Sequence, residues 1–174
     1  FASSFAMFAA GKAWEQIRQS ICVPNLNVKI VASHAGITVG EDGASHQMLE
    51  DIALMRVLPR MKVVVPADSK QTEAAVETIA TTDGPCYMRT SRAATPVMDD
   101  APDFVFGKAV IHRKGSDLAL IACGVEVYQC LLAADELSQE GVECSVVDCA
   151  TVDPLDAETV CEAARACGKV MTVE

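Results

Sequence analysis

Hydrophobic residues along the first half of the chain alternate between two spacings, one typical of helices and one typical of buried strands. Three- and four-residue steps over Phe1–Ile21 predict a helix, with Phe5 and Phe8 on its core-facing side. The apolar run Val28–Ser33 predicts a strand that is covered on both faces. Further helices are predicted at Met48–Leu58 and 68–80, and further strands at Lys62–Val65 and Cys86–Thr90. This alternation of strands and helices predicts an α/β fold with a parallel sheet.

A second unit is predicted after a linker at Ala94–Asp103, which holds two prolines and three aspartates. Its spacing predicts strands at Val105–Arg113, Leu118–Ala122, Val142–Cys149 and Lys169–Val173, and helices at Val125–Gln139 and Leu155–Cys167. We therefore expect one α/β domain over residues 1–98 and a second, partial α/β domain over residues 99–174. Because no capping residue precedes the first helix and the last strand runs to the end, we expect both domains to be truncated.

Charge and hydropathy exclude several classes of partner. The 174 residues carry a net charge of −10 and a pI near 4.7, which oppose binding to nucleic acids or to anionic membranes. No apolar run approaches the roughly 18 residues of a membrane-spanning helix, and no secretory signal pattern is visible in these residues. Since 51% of the residues are hydrophobic, the chain can form a core. Small molecules and other proteins are the expected partners.

Eight cysteines are spread along the chain, and none of them belongs to a CxxC pair. Several lie inside apolar runs, as Cys123 and Cys130 do, where cysteine acts as a small hydrophobic residue. We therefore expect free thiols in a reducing compartment and a cytoplasmic location. Oxidation or metal binding by some of these thiols stays open.

The segment Ser33–Gln47 concentrates polar chemistry between a predicted strand and a predicted helix. It contains His34 and His46, the adjacent acids Glu41 and Asp42, and three glycines. Open α/β sheets bind ligands at the carboxyl ends of their strands, where His34 is expected. A histidine titrates near neutral pH and donates to hydroxyls, while a nearby carboxylate fixes its tautomer or binds a hydroxyl. This composition favours an active-site loop for a polyhydroxylated substrate.

Other interpretations of these residues stay open at this point. Asp42 and Ser45 are also suitable caps for the next helix, in which Asp51 is expected to interact with the helix dipole. A metal site is disfavoured, because zinc sites within one segment usually have short spacings such as HxxxH. Arg92, after the predicted strand Cys86–Thr90, is either a phosphate clamp or a solvated surface residue.

These residues resemble the signature of the transketolase family, especially the C-terminal section of split transketolases, in which two polypeptides share one enzyme. The match is carried by His34-Ala35-Gly36 and by Val39–Gln47, which has the letters VGEDGASHQ. Supporting motifs follow in the family's order: Phe5–Phe8, Val65–Asp68, Ser91-Arg92, Gly107–Ala109 and Val152–Asp156. The resemblance covers essentially the whole chain, as a thiamine-diphosphate pyrimidine-binding domain joined to the start of the transketolase C-terminal domain.

The resemblance implies an activity and a role for each polar residue. Transketolases transfer a two-carbon ketol unit between sugar phosphates with thiamine diphosphate, which itself supplies the carbanion chemistry. By resemblance, His34 and His46 contact substrate hydroxyls and the region of the reacting carbonyl. Asp42 holds the hydroxyl next to the aldehyde, and Arg92 binds the phosphate of the substrate.

The resemblance also divides the site between polypeptides. Phe5 and Phe8 resemble the aromatic pocket for the aminopyrimidine ring of the cofactor. The family's catalytic glutamate lies before Phe1, and the domain that binds the diphosphate with Mg or Ca is absent from these residues. We expect an N-terminal transketolase section to supply that domain, in a homodimer or heterotetramer, and we expect the 174 residues to be inactive alone. No residue of this chain is expected to bind a metal.

Three alternatives compete with the transketolase interpretation. A 1-deoxyxylulose-5-phosphate synthase shares the fold and the cofactor, but alanine is expected there in place of Glu41. A 2-oxoacid dehydrogenase β-subunit also shares them, although Glu41-Asp42-Gly43 before Ser45-His46-Gln47 matches it poorly. The third alternative is a catalytically silent assembly partner, and retention of the polar site residues argues against it.

The second unit offers few candidate catalytic groups. His112 stands alone on the predicted strand Val105–Arg113, a setting more typical of a structural histidine. We therefore expect this unit to serve docking or assembly.

Overall fold

The computed structural model describes residues 1–99 and 101–174. Its Cα atoms group into two units, the first comprising Phe1–Val64 with Val76–Ala94 and the second Val65–Ala75 with Thr95–Glu174. Asp100, which belongs to the predicted linker, lies outside the described residues. Within the described ranges, no helix has the length and apolar character needed to cross a membrane.

Parallel strands organise the first unit. Along the chain, the elements up to residue 89 are β1 (Ala2–Phe5), α1 (Trp14–Ile17), β2 (Lys29–Ser33), α2 (Asp51–Arg56), β3 (Lys62–Val64), α3 (Ser69–Thr81) and β4 (Cys86–Arg89). The strands of this unit lie in the order β1-β2-β4-β3, and Tyr87 of β4 pairs with Ile30 on one side and Val63 on the other. All these pairings are parallel, so the strands end along one edge of the sheet. This arrangement confirms the predicted α/β fold.

The predicted helix Phe1–Ile21 is wrong at its start. Ala2–Phe5 is a strand that pairs in parallel with β2. Helical structure begins after it, where two π-helical segments, Met7–Lys12 and Arg18–Cys22, flank α1. Most residues of β1 are small and show no alternation of apolar and polar positions, so only pairing with β2 reveals the strand.

A modified capping box precedes α3. Asp68 Oδ1 accepts a hydrogen bond from the backbone N–H of Gln71 at 2.8 Å. The Gln71 side chain accepts from the N–H of Ala67 at 2.6 Å, one residue earlier than in the usual box. Asp68 Oδ2 also accepts from the N–H of Met98 at 2.8 Å. One carboxylate thus fixes both the helix start and the segment after β4.

A mixed sheet organises the second unit. Its elements are β5 (Val110–Arg113), β6 (Leu118–Ala122), α4 (Glu126–Gln139), β7 (Cys144–Asp148), β8 (Thr151–Asp153), α5 (Ala157–Cys167) and β9 (Val170–Val173). Four strands lie in the order β5-β7-β6-β9, with β5 antiparallel to β7. Buried side chains of α4 pack with β6 and β7 in one cluster, and those of α5 pack with the same strands in another. The second α/β unit is therefore confirmed.

Two strand predictions in this unit are inaccurate. The strand predicted at Val105–Arg113 begins only at Val110, because a turn precedes it. In that turn Gly107 has a φ angle of +77°, and the N–H of Lys108 donates to the carbonyl of Val105. β8 was not predicted, since its three residues are too few to show a period.

His112 packs in a buried polar cluster of the second unit. Its Nε2 lies 3.5 Å from Oδ2 of Asp148, and Gln71 Nε2 donates to the same oxygen at 2.7 Å. Asp148 is fully buried, so these contacts offset the cost of removing its carboxylate from water. This position agrees with the structural role expected for His112.

All eight cysteines are free thiols, as predicted. Most of them are buried, whereas Cys161 is exposed on α5. Burial, together with the neighbouring charges of Asp148 and Asp156, raises the pKa of Cys149 to about 12. The buried cysteines therefore act as packing residues rather than as reactive thiolates.

Candidate active site

His34 leaves the sheet at the carboxyl end of β2 in an unusual backbone conformation. Its φ angle is +59°, in the left-handed region that non-glycine residues seldom adopt. The preceding Ser33 pairs with Phe5 of β1, and the N–H of the following Ala35 donates to the carbonyl of Thr90 at 3.2 Å. Contacts on both sides therefore hold His34 in this strained conformation, which is a common feature of functional sites.

An antiparallel bridge closes the loop that follows His34. The N–H of Gly36 donates to the carbonyl of Met48 at 2.8 Å, and the reciprocal hydrogen bond measures 3.3 Å. The side-chain amide of Gln47 also donates to the carbonyl of Ile37 at 2.9 Å. The bridge needs glycine, because Gly36 has a φ angle of +77°. The loop is thus held at its base.

The bridge also shortens the helix predicted at Met48–Leu58. Because the first of these residues is paired across the loop, α2 begins only at Asp51, and no side chain caps it. Ser45 Oγ instead lies 2.9 Å from Nδ1 of His46. Asp42 lies in a separate turn. The interpretation of these loop residues as helix caps is therefore wrong.

A short 3₁₀ turn at Gly40–Asp42 forms the tip of the loop. The N–H of Gly43 donates to the carbonyl of Gly40 at 3.1 Å, and the N–H of His46 donates to the carbonyl of Gly43 at 3.0 Å. The side chain of Asp42 is exposed, and no other residue in the described ranges binds its carboxylate. Both carboxylate oxygens are therefore available to a ligand.

Two phenylalanines and two histidines meet in one aromatic cluster, formed by Phe5, Phe8, His34 and His46. Phe5 stacks on the imidazole of His34, with ring centroids 3.8 Å apart and planes inclined by 15°. The imidazole of His46 lies edge-on to Phe8 at 5.3 Å and to Phe5 at 6.1 Å. Phe8 is 41% exposed, so the core-facing position expected from helical spacing is wrong for this residue. The cluster restrains both imidazoles and leaves Phe8 accessible to a planar ligand.

Arg92 is attached to the tip of the loop. Its Nη1 donates to the carbonyl of Val39 at 2.6 Å, and its Nη2 donates to Oε2 of Glu41 at 3.0 Å. This hydrogen bond and the positive charge of Arg92 lower the pKa of Glu41. A Cβ atom on Gly40 would lie 2.1 Å from Nη1 of Arg92, so glycine leaves room for the guanidinium. Arg92 is therefore a fixed positive charge rather than a freely solvated one.

The predicted site residues thus form two neighbouring groups, one at the strand ends and one at the tip of the loop. The aromatic cluster holds both histidines, whereas Asp42 and Arg92 lie at the loop tip. Among residues 1–99 and 101–174, no group of three or more His, Cys, Asp or Glu side chains is placed to hold a metal ion. The arrangement offers a ligand two imidazoles, the free carboxylate of Asp42, the guanidinium of Arg92 and the exposed ring face of Phe8.

An ionic cluster at the base of the loop was not predicted. Asp51, the first residue of α2, is fully buried and accepts a hydrogen bond from the Tyr87 hydroxyl at 2.7 Å. Arg89 Nε lies 3.1 Å from the same carboxylate oxygen. Burial, and then the charge of Asp51, raise the pKa of Tyr87 well above its ordinary value. Arg89 Nη2 lies 3.6 Å from where a Cβ of Gly36 would be, so the cluster is adjacent to the loop closure.

One signal for this cluster was present in the sequence. Arg89 is a charged residue in an otherwise apolar predicted strand, and a buried charge requires an opposite charge nearby. The chain has 24 acidic residues, and no local pattern indicates which of them supplies the partner. The position of Asp51 in the first turn of the predicted helix already explains an acid there through the helix dipole, so it does not single out Asp51 as the partner of Arg89.

Two protein-family models match the chain. The transketolase pyrimidine-binding domain matches residues 1–98, and the transketolase C-terminal domain matches residues 107–174.

Relatives align along most of the sequence. A putative transketolase C-terminal section from Methanocaldococcus jannaschii is 49% identical over 163 residues, covering 92% of this chain and 52% of the relative. The 6-deoxy-6-sulfo-D-fructose transketolase subunit SqwH of Clostridium sp. (strain MSTE9) is 39% identical, and the match covers all of this chain and 54% of the relative. Human transketolase is 38% identical, and this chain covers 28% of it. The chain thus spans about half the length of the first two relatives.

Solved structures share the fold. A split gene transketolase, described as an inactive β4 tetramer, superposes with a TM-score of 0.90 at 48% identity, covering all of this chain and 56% of the other. A transketolase from Pichia stipitis in complex with sedoheptulose 7-phosphate has a TM-score of 0.84 at 25% identity, covering 99% of this chain and 26% of the other. Taken with the two family models, these matches establish that the chain belongs to the transketolase family and corresponds to its C-terminal section.

Proposed function

We propose that this chain is part of a thiamine-diphosphate-dependent transketolase that transfers a two-carbon ketol unit between sugar phosphates. The observation that carries the proposal is the aromatic cluster, which restrains two imidazoles against two phenylalanines. It lies at the carboxyl ends of parallel strands, the edge at which α/β proteins bind ligands. Family membership supports the same activity.

The aromatic cluster fits the pyrimidine half of the cofactor. Phe8 is 41% exposed and offers a ring face to a planar heterocycle. One face of Phe5 is already covered by His34, so Phe8 is the principal stacking residue and Phe5 supports it. When bound, thiamine diphosphate supplies the carbanion chemistry of the transfer.

The loop supplies the polar contacts to the sugar in this proposal. His34 and His46 donate from imidazole N–H groups to substrate hydroxyls and to the reacting carbonyl oxygen. The exposed carboxylate of Asp42 accepts from the hydroxyl next to the aldehyde. Arg92 has five N–H donors, and those not bonded to the loop bind the substrate phosphate bidentately.

We place the diphosphate and its Mg or Ca ion on a partner, an N-terminal transketolase section. The two sections together form a homodimer or a heterotetramer in this proposal. The relatives described as a transketolase C-terminal section and as a split gene transketolase support this division. The related split gene transketolase structure is described as an inactive β4 tetramer, which supports the expectation that this section is inactive without its partner. Free, mostly buried thiols support a reducing, cytoplasmic environment.

Ketol transfer by the assembled enzyme tests the proposal. The full-length chain is co-expressed with its N-terminal transketolase section, and transfer from xylulose 5-phosphate to ribose 5-phosphate is measured with thiamine diphosphate and magnesium. We expect transfer by the assembly and none by the chain alone. Cofactor binding without transfer from any of a panel of phosphorylated ketoses would contradict the proposal and favour a catalytically silent assembly partner.

Replacing Gly40 by alanine should weaken the binding of phosphorylated acceptors through Arg92. The new Cβ would lie 2.1 Å from Nη1 of Arg92, and the φ angle of +80° strains any residue other than glycine. Because charge-assisted hydrogen bonds contribute about 1.5–3 kcal/mol, KM for ribose 5-phosphate should rise roughly ten- to hundredfold. Steady-state kinetics with ribose 5-phosphate and with glycolaldehyde, which has no phosphate, provide the measurement.

Gly141→Ala is a matched control for this substitution. Gly141 also has a positive φ angle, of +82°, but no atom lies within 4 Å of the Cβ position. We expect its kinetics to be unchanged, and we expect Arg92→Ala to reproduce the effect of Gly40→Ala. An equal rise in KM for glycolaldehyde would show that the substitution distorts the loop rather than the phosphate contact.

A further inference from the structure

Both histidines of the aromatic cluster follow a serine that contacts the same imidazole atom. Ser33 Oγ lies 3.0 Å from Nδ1 of His34, and Ser45 Oγ lies 2.9 Å from Nδ1 of His46. The two pairs occur in different backbone settings, one at the end of a strand and the other after the 3₁₀ turn. His112, the third histidine, follows an isoleucine instead. The shared contact is therefore a property of the two site histidines.

The contact with serine determines which nitrogen meets a ligand. Rotation of an imidazole by 180° would replace Nδ1 by a carbon atom and would break the hydrogen bond to serine. Stacking on Phe5 further restrains the ring of His34. Nε2 of His34 and Nε2 of His46 have no hydrogen-bond partner among the described residues. Nε2 is therefore the nitrogen that each histidine offers to the sugar.

The serine proton then selects the tautomer. A hydroxyl has one proton to donate, and a neutral imidazole has one N–H and one lone pair. Ser33 Oγ contacts no acceptor other than Nδ1 of His34 in the described part of the chain. Ser45 Oγ has a competing acceptor in the carbonyl of Asp42, but the distance of 3.5 Å exceeds that of an ordinary O–H···O bond. A hydroxyl proton donated to Nδ1 places the imidazole proton on Nε2, and neither serine has a shorter contact with another acceptor among the described residues.

We infer that Ser33 and Ser45 are positioning residues that hold His34 and His46 as Nε2–H tautomers, so that both rings present N–H donors to the substrate. Two preoriented donors suit a sugar whose carbonyl oxygen gains negative charge when a carbon–carbon bond forms at the carbonyl carbon, and whose alkoxide oxygen carries that charge before the bond breaks. This catalytic consequence rests on the ketol transfer proposed above, whereas the tautomers themselves do not.

Nitrogen NMR of the histidines tests the tautomers directly. The full chain is labelled with [15N]histidine, assembled with its unlabelled N-terminal section and measured in the solid state at about pH 8.5, well above the ordinary imidazole pKa. We expect pyridine-type Nδ1 and pyrrole-type Nε2 signals from His34 and His46, assigned with His34→Gln and His46→Gln variants. Ser33→Ala should move only the His34 signals toward a mixture of tautomers, and Ser45→Ala only those of His46. A pyrrole-type Nδ1 at either residue, or signals unaffected by alanine, would overturn the inference.

Kinetics distinguish positioning from a general structural effect. Ser33→Ala and Ser45→Ala should each lower kcat about five- to tenfold, the effect of one ordinary hydrogen bond. Ser33→Thr and Ser45→Thr keep the hydroxyl and should restore most of the rate. Ser138→Ala is a matched control in the second unit, where Oγ donates to Glu143 at 2.7 Å, and should leave kcat unchanged.

The outcomes separate this inference from the proposed function. Equal losses in the alanine and threonine variants would refute the positioning role, even if the enzyme transfers ketol units. If the unsubstituted assembly transfers no ketol unit, the proposed function fails, and the NMR spectra still decide the tautomers.

Discussion

Replacing His46 by alanine should lower kcat for ketol transfer by about two to three orders of magnitude, because it removes a donor to the reacting carbonyl. The imidazole lies edge-on to Phe8 at 5.3 Å and is bonded to Ser45, so its loss leaves the stacking face of Phe8 in place. The dissociation constant of thiamine diphosphate should therefore change by no more than about threefold. Steady-state kinetics and calorimetry on the assembled enzyme measure the two quantities.

Substitutions by amides sharpen this test. Glutamine places an N–H near the position of Nε2, whereas the shorter asparagine reaches only the position of Nδ1. His46→Gln should therefore retain more activity than His46→Asn. Phe8→Ala should show the opposite pattern, with weaker cofactor binding and a nearly unchanged kcat at saturating cofactor. A loss of cofactor affinity as large as the loss of rate in His46→Ala would refute a role in chemistry.

Replacing Asp51 by alanine should destabilise the first unit by about 3–5 kcal/mol, because it leaves the nearly buried charge of Arg89 without a carboxylate. The same carboxylate accepts from the Tyr87 hydroxyl at 2.7 Å, so a second polar group also loses its partner. Trp14, the single tryptophan of the 174 residues, donates to the carbonyl of Leu54 in α2 at 2.8 Å. Urea unfolding of the full chain, followed by Trp14 fluorescence, therefore reports on the helix that contains Asp51.

Three further variants identify the cause of this destabilisation. Tyr87→Phe removes one hydrogen bond and should cost about 1 kcal/mol. Glu162→Ala, on the exposed side of α5, should change stability by less than about 0.5 kcal/mol. The double variant Asp51→Ala/Arg89→Met removes both charges and should recover much of the lost stability. A double variant as unstable as Asp51→Ala would attribute the effect to the cavity left by the carboxylate.

Elements with a strong period could be predicted from the sequence. β6 has the predicted bounds Leu118–Ala122, and α4 begins one residue later than predicted, at Glu126. In such segments the residues at each repeat of the period lie on the same face, so the spacing of apolar residues shows which face is buried. β1 shows the opposite case, because its four residues have no period and become a strand only beside β2.

The chemistry of the site could be predicted in part. The residue types in Ser33–Gln47 indicated a polar ligand, and the resemblance to transketolase assigned roles that remain predictions. The pairing of Arg92 with Glu41 across 51 positions was not predictable, since no local pattern connects two distant segments. The closure of the loop between Gly36 and Met48 is not predictable for a related reason, because helical spacing around Met48 predicts an earlier helix start.

Local sequence was sufficient to indicate an α/β chain of the transketolase type, with its polar residues gathered after a strand, because spacing and motif are properties of neighbouring residues. Only the folded chain brings Phe5 onto His34, attaches Arg92 to the loop tip and buries Asp51 against Arg89. Each of these contacts joins segments that are far apart in sequence, and its geometry depends on strand pairing and on the exclusion of water rather than on local propensity. The tertiary structure thereby selects which of the many polar residues become a site.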